Sequence, residues 1–220
     1  MTTRSVQPTT LTPPLRGLRS ALAPGLLIII AGAVQGDGAL ITAAYRSASP
    51  ISEDQLSYPW AGATAITTSL IWGITQVLFV VGLVSFVRSG ASPSKVGAVG
   101  GRVAVAGALL YVAAHALSLI AYDAALDDPI AIAVLACFGI GTVLTAAGLI
   151  MAGTATLRSR AWSRWRRYTP LALGVWMAAM LPLQFTPALP VAVGIYALAV
   201  MALGLAMMIE SLTRESLRWS

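Results

Sequence analysis

The chain has 220 residues, 57% of them hydrophobic and 10% charged, with a formal charge of +6. A soluble domain carries roughly 25% charged residues, so there are too few here to cover a water-facing surface. With a mean hydropathy of +0.81, the composition excludes a soluble domain and predicts an all-α, polytopic membrane protein.

In a soluble chain the positive balance would suggest nucleic acid. Here the cations gather in short segments between apolar stretches, which the positive-inside rule explains, and no nucleic-acid partner is expected. The only cysteine, Cys137, lies in an apolar stretch. It excludes an intrachain disulfide and any cysteine-rich metal or iron–sulfur site, and no cofactor is expected.

Residues 1–20 are rich in Thr, Pro and Arg and read as a flexible cytoplasmic segment. Arg16 and Arg19, the apolar run after them and Ala31-Gly32-Ala33 share features with a secretory signal. Apolar sequence continues to Tyr45, however, so the expectation is an uncleaved first span over 21–45. Pro24 suits the first turn of a helix. Gly32 and Gly36 form a GxxxG spacing that lets another helix approach closely, and Asp37 is the one acid inside the stretch.

Residues 46–60 form an outer loop that is either a partial lid or a simple connector. Within it, Ser52 and Gln55 have the spacing of a capping box for a short surface helix. Tyr45, Tyr58 and Trp60 fit an interfacial aromatic belt. The second span, 61–87, contains several hydroxyls that can bond back to their own helix. It also contains Gln76, which is costlier to leave facing lipid. A Gly/Ser-rich loop over 88–102 leads to a third span, 103–123, with the only histidine, His115.

After an acidic turn at Asp123, Asp127 and Asp128, the fourth span covers 130–156. Cys137, Gly141, Thr145, Gly148 and Ala152 fall on one of its faces and predict a close helix contact. The loop that follows carries Arg158, Arg160, Arg164, Arg166 and Arg167 interleaved with Trp162 and Trp165. These five arginines are expected against anionic lipid headgroups. The fifth span, 169–187, is interrupted at Pro182, which removes a helical hydrogen bond. The sixth covers 190–209, and residues 210–220 form a cytoplasmic tail with a short interfacial helix.

With the N-terminus inside, all but Arg46 of the 14 Lys and Arg residues fall on the cytoplasmic side. The chain therefore reads as a six-transmembrane-helix bundle over 21–209 in the cell membrane, with both termini cytoplasmic. An inverted three-plus-three repeat finds no support, because the interruptions at Asp37 and Pro182 are not at equivalent positions.

Tyr111, His115, Ser118 and Tyr122 are spaced 4, 3 and 4 apart and share one face of the third helix. Ala104 and Ala108 extend that face. Lipid offers such a stripe no partner, so it should face protein or a cavity. Asp37 is a functional group by default if it lies at membrane depth; alternatively the first span ends near it and the acid meets interfacial water. His115 reads as a packing histidine, a proton- or ligand-handling residue, or a metal or haem ligand. A lone histidine cannot complete a two-histidine haem site, and with Asp37 and Cys137 it has no zinc-like spacing. If Asp37, Gln76, His115 and Tyr122 converge, they form a small outward-leaning polar cavity whose members satisfy one another.

Enzyme signatures are absent: there is no HExxH, Walker, dinucleotide-binding glycine or GxSxG motif. Ser118 and His115 lie on one helix and lack the independent positioning a nucleophile and its base require. No span contains a lysine for a retinal Schiff base. The leading expectation is a small-solute or proton-linked transporter or a ligand-binding membrane protein. The rivals are an accessory subunit, docked on a partner or a second copy through Gly141, Gly148 and Ala152, and a membrane-embedded enzyme.

Overall fold

The computed structural model describes residues 15–218, and the side chains of 22–216 apart from Phe185. The part of the N-terminal segment before residue 15 and the last two residues of the tail lie outside the described residues. Six α-helices follow one another: α1 (Leu15–Tyr45), α2 (Gly62–Arg88), α3 (Lys95–Ser118), α4 (Pro129–Ser159), α5 (Thr169–Met180) and α6 (Leu189–Arg218). All except α5 are long and apolar enough to cross a membrane. The protein is an all-α, polytopic membrane protein.

Each helix packs on those before and after it, and α6 closes back on α1. The result is a ring in sequence order, filled by side chains such as Phe79, Leu149, Leu173, Met177 and Leu203. Glycine decides how close the tightest pairs come. A β-carbon on Gly107 would lie 2.5 Å from the Thr145 nitrogen, and one on Gly148 would overlap the Ala104 backbone. The seam predicted along Gly141, Gly148 and Ala152 is therefore the α3–α4 contact. On α1, a β-carbon on Gly32 would stand 2.8 Å from the Ala197 carbonyl oxygen, and Gly36 faces the Ala197 side chain. The GxxxG partner is α6, which runs antiparallel to α1.

Several boundaries differ from the sequence expectation. Helix α3 starts at Lys95, capped by Ser94, whose hydroxyl accepts from Gly97 N at 3.0 Å. The Gly-rich stretch assigned to a loop is helical because Gly97 and Gly100 are pressed against Ala155 and Met151 of α4. Tertiary contact overrides the low helix propensity of glycine. The same helix ends at Ser118, so Tyr122 stands beyond it in the turn. Ser52 and Gln55 start no helix. Gln55 instead bridges Ala125, with Leu56 N donating to Ala124 O at 3.0 Å and Leu126 N to Asp54 O at 2.8 Å. These bonds tie the outer loop to the α3–α4 turn. The tail is a continuation of α6 rather than a separate helix.

The fifth apolar stretch is the least regular. Helix α5 has 12 residues and gives way to a 3-10 turn over Pro182–Phe185. Twelve residues rise only about 18 Å, short of the roughly 30 Å hydrocarbon layer.

Candidate functional site

The polar side chains inside the ring come from five of the six helices and the 3-10 turn. Gln35 of α1 donates to the Thr75 hydroxyl of α2 at 3.3 Å, and Thr75 donates to Trp72 O at 2.8 Å. Across the ring, Tyr111 of α3 donates to Thr142 of α4 at 2.8 Å. Thr142 also accepts from Gln184 at 3.2 Å and donates to Phe138 O at 2.8 Å. The Thr75 and Thr142 hydroxyls at the centre of these nodes thus both accept and donate.

Beside them are polar atoms that do neither. The Gln76 Oε1 and Tyr196 Oη atoms are buried without a hydrogen-bond partner among the described residues, as is the Thr145 hydroxyl at the α3–α4 contact. Gln76 lies one turn from Phe79, whose ring meets Tyr196 edge-on at 6.3 Å between centroids. The two unpartnered groups thus flank one aromatic contact between α2 and α6. A buried polar atom without a partner is rare and calls for a water, ion or ligand.

His115 is buried between the rings of Trp72 (6.1 Å) and Phe138 (5.0 Å), both edge-on, and makes no hydrogen bond among the described residues. Asp37 is exposed on the flank of α1. Trp72 stands between the two, since its indole nitrogen lies where a β-carbon on Gly38 would be. The structure does not bring Asp37 to His115. Helix α1 continues unbroken to Tyr45, eight residues past Asp37. Ser118 is buried and donates to Ala114 O at 2.9 Å, and Tyr122 is half-buried in the turn. Of the residues expected to converge, Gln76 is buried in the ring, His115 sits in an aromatic slot beside it, and Tyr122 in the turn and Asp37 on the outer flank stand apart; Tyr111, from the same face as His115, reaches Thr142.

At the far end of the bundle the α4–α5 loop folds back on itself, with Arg160 and Arg164 both at positive φ. Trp162 is buried edge-on against Phe86 at 5.5 Å. Arg166, grouped by sequence with the headgroup-facing arginines, is turned inward. Its Nε donates to Glu210 Oε1 at 2.8 Å, the same oxygen that accepts from Ser163 N at 2.8 Å, and its Nη2 donates to the Ser163 hydroxyl. Arg158, Arg160 and Arg164 remain exposed, and Arg167 lies over the Tyr168 ring at 4.9 Å. Nearby, Pro24, Ser85, Ser89, Trp162, Glu210 and Arg214 line a half-open cavity of about 200 Å³. Among the described residues no three of His, Cys, Asp and Glu are grouped to hold a metal ion.

Compared with protein-family models, curated proteins and solved structures, the chain matches none. Function therefore rests on the geometry alone.

Sequence reading missed Tyr196, Thr142, Thr75 and the Arg166–Glu210 pair as members of a polar network. Tyr196 carried a usable signal, being the one tyrosine of an otherwise apolar stretch. Glu210 carried none, because its position at the apolar boundary reads as tail.

Proposed function

We propose that this protein binds, and passes across the membrane, a small uncharged polar solute held in the ring interior by Gln76 and Tyr196. The observation that carries this is the pair of buried atoms, Gln76 Oε1 and Tyr196 Oη, without a hydrogen-bond partner among the described residues, beside the Thr75 and Thr142 nodes. Gln76 accepts a solute N–H or O–H, and the tyrosine hydroxyl either donates or accepts. Charge is disfavoured because the buried ionised groups, Arg166 and Glu210, are paired with each other at one end of the bundle. An ion at Gln76 would have no counter-charge within reach. Proton coupling through an Asp37–His115 pair lacks geometric support, since Trp72 stands between them. The role is non-catalytic: the Ser118 hydroxyl is committed to its own helix and not to His115.

The chain crosses six times with both termini cytoplasmic. The fifth segment supports this by starting beside Arg166 and ending at Gln184, which reaches Thr142 of α4. Helix α6 then starts at the same end of the ring as Tyr45, antiparallel to α1. The basic end faces the cytoplasm, with Arg158, Arg160 and Arg164 against anionic headgroups. The accessory-subunit alternative loses its docking face, because Gly141, Gly148 and Ala152 are spent on α3.

The test is thiol accessibility in proteoliposomes. Gln76→Cys and Tyr196→Cys, each in a Cys137→Ala background, are expected to react with a small membrane-impermeant thiol reagent added outside. Failure of both to react, while Ser52→Cys in the exposed loop reacts fully, would show a dry, closed interior and sink the proposal.

A further inference from the structure

The outward face of α1 has an acid in the wrong solvent. Leu26, Ile30, Leu40 and Ile41 are exposed along it, Leu40 by 68%. Asp37 shares that exposed face. Tyr45, stacked on Trp60 at 4.9 Å between ring centroids, marks the aromatic level at the end of the helix. At 1.5 Å per residue Asp37 lies about 12 Å below it, inside the hydrocarbon layer, and an aspartate side chain is too short to reach the interface. Asp37 has no hydrogen bond or ion pair among the described residues.

The orientation is not adjustable. Gly25 and Gly32 are pressed onto the backbone of Gly204 and Ala197, and Gln35 is held inward by Thr75. Together they fix the rotation of α1 about its axis and leave Asp37 outside. Intramembrane acids almost always face a bundle interior or a partner group. Here no interior is within reach.

We infer that this face of α1 docks a transmembrane helix of a different membrane protein, one that presents a lysine or arginine to Asp37 in the outer half of the bilayer. Charge complementarity selects that occupant. Among the described residues a second copy of this chain offers no cation at that depth. Lys95, Arg102, Arg158 and Arg214 lie toward the Arg166 end, Arg46 is in the outer loop beside Glu53 at 3.8 Å, and His115 is enclosed by Trp72 and Phe138. The proposed solute site plays no part here, because Asp37 is outside the ring.

The test uses fluorescence energy transfer in liposomes between this protein, labelled at Ser52→Cys in the Cys137→Ala background, and synthetic Leu/Ala transmembrane peptides. One peptide carries a single lysine about 12 Å from its outer end, one carries it at the same distance from its inner end, and one carries none. The outer-lysine peptide is expected to associate about tenfold more tightly than the other two. Asp37→Asn and Asp37→Leu should each erase that preference while leaving the thermal unfolding of the protein unchanged. Equal association of all three peptides would overturn the inference and leave Asp37 as a lipid-facing side chain without a partner. Energy transfer between two labelled copies of the protein that is lost in Asp37→Leu would also overturn it, by making the occupant a second copy.

Discussion

At the basic end of the ring, Glu210 accepts from Arg166 Nε and Ser163 N, and both ionised side chains are about nine-tenths buried. Toward the opposite end, Gln76 and Tyr196 are equally deep, yet among the described residues each has an atom with no partner, and Asp37 on the outer flank has no ion pair among them either. The first arrangement is closed at the Arg166–Glu210 pair, whose buried charges neutralise each other, although Arg167 Nε in the same loop has no hydrogen-bond partner among the described residues. The second is open, with polar groups held in place by neighbours that do not satisfy them. Closed networks specify structure, whereas open ones are where a binding function has room to act. The basic end is therefore the clasp of the bundle, and the opposite half holds Gln76, Tyr196 and Asp37, unpartnered among the described residues.

Breaking the clasp should have the largest effect. Glu210→Ala leaves Arg166 charged and buried, and a loss of about 3–5 kcal/mol is expected, measured by reversible unfolding in mixed micelles. Loss in the range of a surface pair, below about 1 kcal/mol, would show that the pair is solvated and the contrast false. Next comes Gly148→Ala, which presses a methyl group onto the Ala104 backbone and should cost about 1–3 kcal/mol in the same assay. Thr142→Val removes the acceptor shared by Tyr111 and Gln184. It should cost about 1–3 kcal/mol, because the tyrosine hydroxyl is left buried and unpaired.

The open side should behave in the opposite sense. Tyr196→Phe deletes a hydroxyl that has no partner, so its unfolding free energy should stay within about 0.5 kcal/mol of the parent or rise. In the same variant the reactivity of a cysteine at position 76 toward the external reagent should drop. A destabilisation as large as that of Thr142→Val would mean that the hydroxyl is already satisfied. The smallest effect on the isolated protein is expected for Asp37→Asn, within about 0.5 kcal/mol, because the carboxylate is exposed and has no hydrogen bond or ion pair among the described residues.

Hydropathy is a local property, and the apolar stretches read from sequence became α1, α2, α4 and α6, with α1 starting six residues earlier and α6 running nine residues further than expected. Proline chemistry likewise announced the break at Pro182. The small-residue spacings on α1 and α4 were legible as contacts, because only Gly and Ala let two backbones meet. What the sequence could not state is which helix each face would meet. Gln35 and Asp37 are two residues apart, equally polar, on one apolar helix, and one is buried while the other is exposed. Arg166 and Arg164 differ in the same way within one basic loop.

The chain by itself determined that it lives in a membrane, the order of its six apolar helices, and that glycine faces pair. Tertiary structure alone decided the rotation of each helix, and with it the inward Gln76 and Tyr196, the outward Asp37 and the Arg166–Glu210 clasp. The physical reason is that lipid and protein interior are nearly equally apolar. A membrane helix therefore carries little one-sided pattern of its own, and its orientation is set by partners far away in sequence.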